Sequence, residues 1–338
     1  MKTYFITGGE GFIGYHLSKQ LLENDDENKV VTYDAQKHYI PLDKSNWMFY
    51  QMYRVRSLKD KNLIRIRGDT TDRGLLKEKL EEYEPDVIIH LAALPIANVS
   101  NKYPEEARRN ILDGIITLLD VLRDVDYDFE RLIYTSSSMV YGDFNRDSND
   151  NVIPAREEQK CEPLGLYGAM KVAGEKVTKA YHHRFDIPYT IIRPSAVYGP
   201  TDCNRRVTEI FLYNALQGKP LRLDNGGLHK LDFTFVEDTV QGFIKAAKSK
   251  KAENETFNIT RGEGRSIKEL AEVISNIIPN TETFVEDVKV YRPNRGALDI
   301  SKAKNILGYN PAFSLKEGMK KYHDFVADVE HEDYLHGK

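Results

Sequence analysis

The stretch Thr7-Gly8-Gly9-Glu10-Gly11-Phe12-Ile13-Gly14 decides the fold. It follows the short apolar run Tyr4-Phe5-Ile6 directly and opens a segment in which Ile13, Leu17 and Leu21 recur at helical spacing. Strand, glycine turn and helix in this order form the usual cradle for a pyrophosphate. Gly8 permits the tight turn, Gly11 lets the main chain approach the phosphates, and Gly14 lets the helix pack close to the strand. The helix N-terminus adds N–H groups and a partial positive charge. Twenty residues after Gly14, at the end of the β-branched run Val30-Val31-Thr32-Tyr33, stands Asp34. A carboxylate there accepts hydrogen bonds from both ribose hydroxyls of NAD and repels a 2′-phosphate, so NAD is expected rather than NADP.

Working outward, the first third keeps the same alternation. Val87-Ile88-Ile89-His90-Leu91 and Leu132-Ile133-Tyr134 have strand length and no internal polar alternation, as expected when both faces of a parallel sheet are covered. Between them, Leu75, Leu76 and Leu80, then Ile115, Leu118, Leu119 and Leu122, keep helical spacing. This pattern predicts βαβ units in a doubly wound parallel sheet. After Arg193, Pro, Gly and Asn become frequent, strands such as Thr256-Phe257-Asn258-Ile259 read as isolated, and Ser266 with Glu269 and Ser314 with Glu317 read as capping boxes. The expected organisation is a nucleotide-binding domain over residues 1–192 and a smaller α/β substrate subdomain over 193–338, some of whose segments return to the first. Residues 36–63 interrupt the pattern with Trp47, Met48, Phe49, Tyr50, Met52 and Tyr53. Two readings stand: a surface helix docking its aromatic side on the core, or a lid or subunit contact.

Composition narrows the function. Of 338 residues, 41% are hydrophobic and 30% charged, near the globular average. The formal net charge of −4 provides no positive field to recruit nucleic acid or a membrane surface. No apolar run approaches a membrane span, and the start lacks a secretory leader pattern, so a cytoplasmic small-molecule protein is expected. Cys161 and Cys203 cannot build a disulfide framework or a zinc site of known spacing, and no metal is expected.

Tyr167-Gly168-Ala169-Met170-Lys171 places a phenol and an ammonium one helical turn apart. A tyrosine with a reference pKa of about 10 is a poor base at neutral pH, and a nearby cation stabilises its phenolate. Upstream, the run Leu132-Ile133-Tyr134 ends in Thr135-Ser136-Ser137-Ser138, at the sheet edge where open α/β folds place their sites. A hydroxyl there can share a substrate oxygen with the tyrosine.

Together with Gly68-Asp69, His90-Leu91-Ala92-Ala93, Asn110 with Gly114, Ser136 through Gly142, Arg193-Pro194, Val197-Tyr198-Gly199-Pro200, Asp232-Phe233, Arg292-Pro293 and Leu307 through Pro311, these marks run nearly end to end. The chain resembles the extended short-chain dehydrogenases/reductases, in particular the NAD-dependent nucleotide-sugar epimerase/dehydratase family. The resemblance implies a Rossmann-type domain that binds NAD through Gly8, Gly11, Phe12, Ile13, Gly14, Asp34, Asp69, Thr70, Leu91, Ala92, Ala93 and Asn110. It implies Asp69 at the adenine, Lys171 on the nicotinamide ribose and against Tyr167, and Ser137 as the catalytic hydroxyl. Ser137, Ser138, Arg205 and Arg292 are the substrate-binding candidates. Family members that eliminate water carry Asp-Glu where this chain has Ser138-Met139, which argues against a 4,6-dehydratase. Two further departures, Ala196 for Asn and Leu231 for Arg, fall in the sugar-nucleotide half. The diphosphate needs other cations, with Arg292 and Arg295, Arg205 and Arg206, or His229 and Lys230 as candidates.

The expected activity is epimerisation of a nucleotide-diphosphate sugar by transient oxidation at C4. The alternatives are a one-way 4-dehydrogenase or 4-keto reductase, and, in another class, a non-catalytic NAD-binding sensor. The family resemblance also suggests a homodimer.

Overall fold

The computed structural model describes residues 2–39, 46–289, 293 and 295–331. Seven strands, β1 (Thr3–Thr7), β2 (Lys29–Asp34), β3 (Leu63–Arg67), β4 (Val87–His90), β5 (Arg131–Thr135), β6 (Tyr189–Pro194) and β7 (Glu255–Ile259), form one sheet. Their order is β7-β6-β5-β4-β1-β2-β3, and every pairing is parallel. Strands β4, β5 and β6 are buried at every residue, while the edge strand β3 is not, which is why only β3 carries charged side chains at alternating positions.

The main helices are α1 (Phe12–Asn24), α2 (Trp47–Ser57), α3 (Arg73–Tyr83), α4 (Gly114–Asp124), α5 (Leu166–Phe185), α6 (Val207–Leu216), α7 (Val236–Lys248), α8 (Ile267–Ile277) and α9 (Leu315–His331). Successive strand residues feed opposite layers, as a two-residue period requires. Tyr4, Ile6 and Val30 join Leu17, Leu21 and Phe243 on one face, whereas Phe5 and Val31 join Leu76, Leu118 and Leu122 on the other. Each such side chain taken fully out of water stabilises the fold by about 1.5–3 kcal/mol. A further core cluster gathers Leu212 of α6, Leu270 and Ile274 of α8, and Met319 and Tyr322 of α9 around Tyr198 and Phe235.

Both expected capping boxes form: the Ser266 hydroxyl accepts from the Glu269 N–H at 3.0 Å, and the Ser314 hydroxyl from the Glu317 N–H at 3.3 Å. One expectation is corrected. Glu255–Ile259 is no isolated strand; it closes the large sheet against β6. Asn258 disguises it in the sequence, yet this buried amide is satisfied, donating to the Ala155 and Asp299 carbonyls and accepting from the Tyr141 hydroxyl. The aromatic segment forms α2, whose buried Tyr50 stacks on Phe325 of α9. Among the described residues, no helix is long and apolar enough to cross a membrane.

Candidate active site

Strand order reverses between β1 and β4, and a cleft of about 500 Å³ opens at their carboxyl ends. The nominated residues converge on it. Its lining includes the loop from Gly8 to Gly14 with Phe12 and Ile13, Asp34, Asp69 with Thr70, Leu91 through Ala93 and Asn110. Ser137, Ser138, Tyr167, Lys171 and Arg205 line it as well. Arg292 lies outside the described residues. His229 and Lys230 are not part of the lining, whereas Ala196 and Leu231, the two departures, are.

The glycine loop follows from sterics. Gly8 has φ +70°, and a Cβ there would stand 2.7 Å from the Ala92 nitrogen. A Cβ on Gly14 would stand 2.3 Å from the Gly8 carbonyl oxygen, so α1 packs this close only with glycine. Beneath the loop, Thr7 Oγ1 and His90 Nδ1 are 2.8 Å apart, and burial pushes the His90 pKa down to about 3, leaving the imidazole neutral.

Asp34 is held at both carboxylate oxygens, by the Glu10 N–H at 3.0 Å and the Gln36 N–H at 2.7 Å. Burial raises its pKa against these donors. Ribose hydroxyls are the donors such a carboxylate lacks. Lys37, the nearest cation in sequence, is committed elsewhere: its ammonium meets Asp69 at 2.9 Å and donates to Asn110 Oδ1 at 3.0 Å. Asn110 itself stands in a π-helical turn, Arg108–Asp113, a distortion frequent at functional sites.

Ser137 caps the 3₁₀ turn Ser138–Tyr141, its hydroxyl accepting from the Met139 N–H at 3.1 Å. Tyr167 lines the same cleft, and the Ser137 hydroxyl favours its phenolate. Lys171 Nζ donates to the Thr135 carbonyl at 2.7 Å and lies 5.9 Å from the Tyr167 ring centre. Desolvation pushes the Lys171 pKa down to about 7 and raises that of Tyr167, which Ser137 and the Arg206 charge draw back down. The pair is thus strained towards neutrality, and a negative charge arriving in the cleft favours the charged lysine.

Sequence reasoning missed the support behind this pair. Glu175 continues the Tyr167 and Lys171 stripe one turn further along α5. It forms a bidentate, buried ion pair with Arg193 (2.6 and 2.8 Å) and accepts from Ser136. Arg193 also donates to the Tyr141 hydroxyl and the Glu157 carbonyl. The four-residue spacing from Lys171 was the available signal. Arg206, at the N-terminus of α6, pairs with the fully buried Asp202 at 3.2 Å.

The loop, the acidic strand end and the Ser137, Tyr167 and Lys171 group share one cleft. A model of the NAD-dependent epimerase/dehydratase family matches residues 4–260. The chain belongs to that family. An uncharacterized UDP-glucose epimerase of Bacillus subtilis is 31% identical over 93% of this chain and 94% of its own. The crystal structure of a UDP-glucuronic acid 4-epimerase from Bacillus cereus, in complex with UDP-glucuronic acid and NAD, superposes with a TM-score of 0.87 at 28% identity, covering 97% of this chain and 99% of that one. A dTDP-glucose 4,6-dehydratase of Haemophilus influenzae is 25% identical over 95% of this chain and 96% of its own. The doubly wound architecture and NAD as the family's cofactor agree with the sequence reading, and the residues of the cleft fit that cofactor.

Proposed function

We propose that this family member is a nucleotide-sugar 4-epimerase acting by transient oxidation at C4 of the sugar. The observation that carries the reading is the meeting of Ser137, Tyr167 and Lys171 in the cleft whose other end is the glycine loop. NAD, when bound, supplies a hydride acceptor that returns the hydride. The loop Gly8 to Gly14 holds its pyrophosphate, Asp34 its adenosine ribose, Asp69 and Asn110 the adenine side, and Lys171 the nicotinamide ribose.

Tyr167 takes the proton of the C4 hydroxyl as the C4–H bond breaks, and Ser137 donates a hydrogen bond to the developing carbonyl oxygen. The Lys171 ammonium stabilises the phenolate. Return of the proton and of hydride to the opposite face of C4 gives the epimer with no net redox change. At the other end of the sugar, Arg205, Arg206 and the N-terminus of α6 form the diphosphate site.

Water elimination lacks its groups. The Ser138 hydroxyl is buried against Ser195 at 3.0 Å, and Met139 carries no ionisable atom. The test is incubation with UDP- and dTDP-linked hexoses and hexuronates, following products by mass spectrometry and NMR. The C4 epimer is expected, without accumulation of reduced nicotinamide. A product lighter by one water, or stoichiometric reduction of added NAD, overturns the reading.

A further inference from the structure

Among the described residues, four cations of the cleft have protein partners. Lys37 pairs with Asp69, Arg54 donates to the Thr201 carbonyl, Lys171 to the Thr135 carbonyl, and Arg206 pairs with Asp202. Arg295 differs. Among the described residues its guanidinium has one polar contact, Nη1 to the Met139 sulfur at 3.0 Å, and its buried Nε has no hydrogen-bond partner. A thioether is a weak acceptor, and an unmet donor on a desolvated cation is costly. Burial accordingly lowers the Arg295 pKa to about 10.

The place of this unmet charge is informative. Met139 is two residues beyond Ser137 and donates its N–H to the Ser137 hydroxyl, which in turn favours the Tyr167 phenolate. The Met139 carbonyl presses on α5 beside Tyr167, where a Cβ on Gly168 would come within 2.6 Å of it. Arg295 therefore faces the end of the sugar that carries the reacting carbon. C1, with its diphosphate, is across the pyranose ring from C4, so an anion beside Met139 belongs to the sugar itself. The carbon next to C4 that bears an oxidisable exocyclic group is C5. A carboxylate at C6 offers the two coplanar oxygens that suit a guanidinium fork.

We propose that Arg295 selects a nucleoside-diphosphate hexuronate, reading the C6 carboxylate of the sugar; this rests on the 4-epimerase assignment above. Arg295 is then a specificity-determining residue, and Met139 is the apolar wall that leaves its charge for the substrate.

The test compares UDP- and dTDP-linked hexuronates with the corresponding neutral hexoses, in the wild-type protein and in Arg295→Met and Arg295→Lys, each checked for folding and bound NAD. Wild type is expected to prefer the hexuronate. Arg295→Met is expected to lower kcat/KM for it by about 10- to 100-fold, the loss of a charge-assisted hydrogen bond, with the neutral sugar and the Kd for UDP or dTDP alone within a few-fold of wild type. Arg295→Lys, with charge but no fork, falls between. Equal losses for both sugars together with weakened UDP or dTDP binding would make Arg295 a diphosphate ligand and overturn the proposal. So would a wild-type protein that epimerises the neutral hexose at least as well. Absence of C4 inversion with every sugar would overturn the 4-epimerase assignment itself, an outcome distinct from the other two.

Discussion

The Lys171 ammonium lies 5.9 Å from the centre of the Tyr167 ring, on the same face of one helix. Neither group is relaxed there, because desolvation lowers the lysine pKa and raises that of the tyrosine. Each is poised to gain from the other's charge once a substrate proton is taken.

Tyr167→Phe removes only the ionisable oxygen from a ring of nearly unchanged shape. Turnover should fall by about 10²- to 10⁴-fold, the usual contribution of a positioned acid or base, with folding and NAD content retained. Steady-state kinetics and release of the bound nucleotide check both halves. Activity within tenfold of wild type would assign the proton to another group.

Lys171→Met should abolish activity and stabilise the cofactor-free fold. The folded pKa of about 7 lies below the ordinary 10.5, so between these values the unfolded chain binds a proton that the native state does not. The wild-type penalty from this lysine is fully present below about pH 7 and fades as pH rises towards 10.5. Denaturant titrations should therefore show the variant's advantage largest at pH 6–7 and smaller at pH 9. An advantage independent of pH would show that the burial of charge is not its cause.

Asp34→Asn removes the charge that repels a 2′-phosphate and, with a single acceptor oxygen, keeps one of the two N–H contacts from Glu10 and Gln36. Its preference for NAD over NADP should shrink by about tenfold or more, the scale of one charge-assisted contact. Titration of cofactor-stripped protein with both nucleotides measures it. An unchanged ratio would shift the discrimination to Glu10, the other carboxylate beside the glycine loop.

Glu175→Ala strands Arg193 in the interior. Stability should drop by about 3–5 kcal/mol, and the double variant Glu175→Ala, Arg193→Met should recover much of that loss. Thermal unfolding of the three proteins tests it. Equal stability of the single and double variants would show that Arg193 finds other partners without Glu175.

Much of this site was legible because its residues obey short-range rules. Gly8, Gly11 and Gly14 follow directly from a strand, and Tyr167 and Lys171 are one turn apart. What escaped depends on contacts across the fold. Glu157, Glu175 and Arg193 lie far apart in sequence and meet only when α5, β6 and the loop after Gly142 pack together. Glu255–Ile259 looked isolated because Asn258 interrupts its apolar run, and only three distant partners make that amide acceptable in a sheet core. Arg295 was one of several candidate cations in the sequence. It becomes distinct only when its guanidinium is seen in the cleft against the Met139 sulfur.

Transient oxidation at C4 is tested most directly by isotope. A nucleoside-diphosphate hexuronate carrying deuterium at C4 is converted in ordinary water, and the product is examined by NMR. The account predicts the C4 epimer with deuterium still on C4, because the hydride leaves and returns within one cleft without exchanging with water. Deuterium lost to solvent, an epimer inverted at another carbon, or a product lacking one water would contradict it.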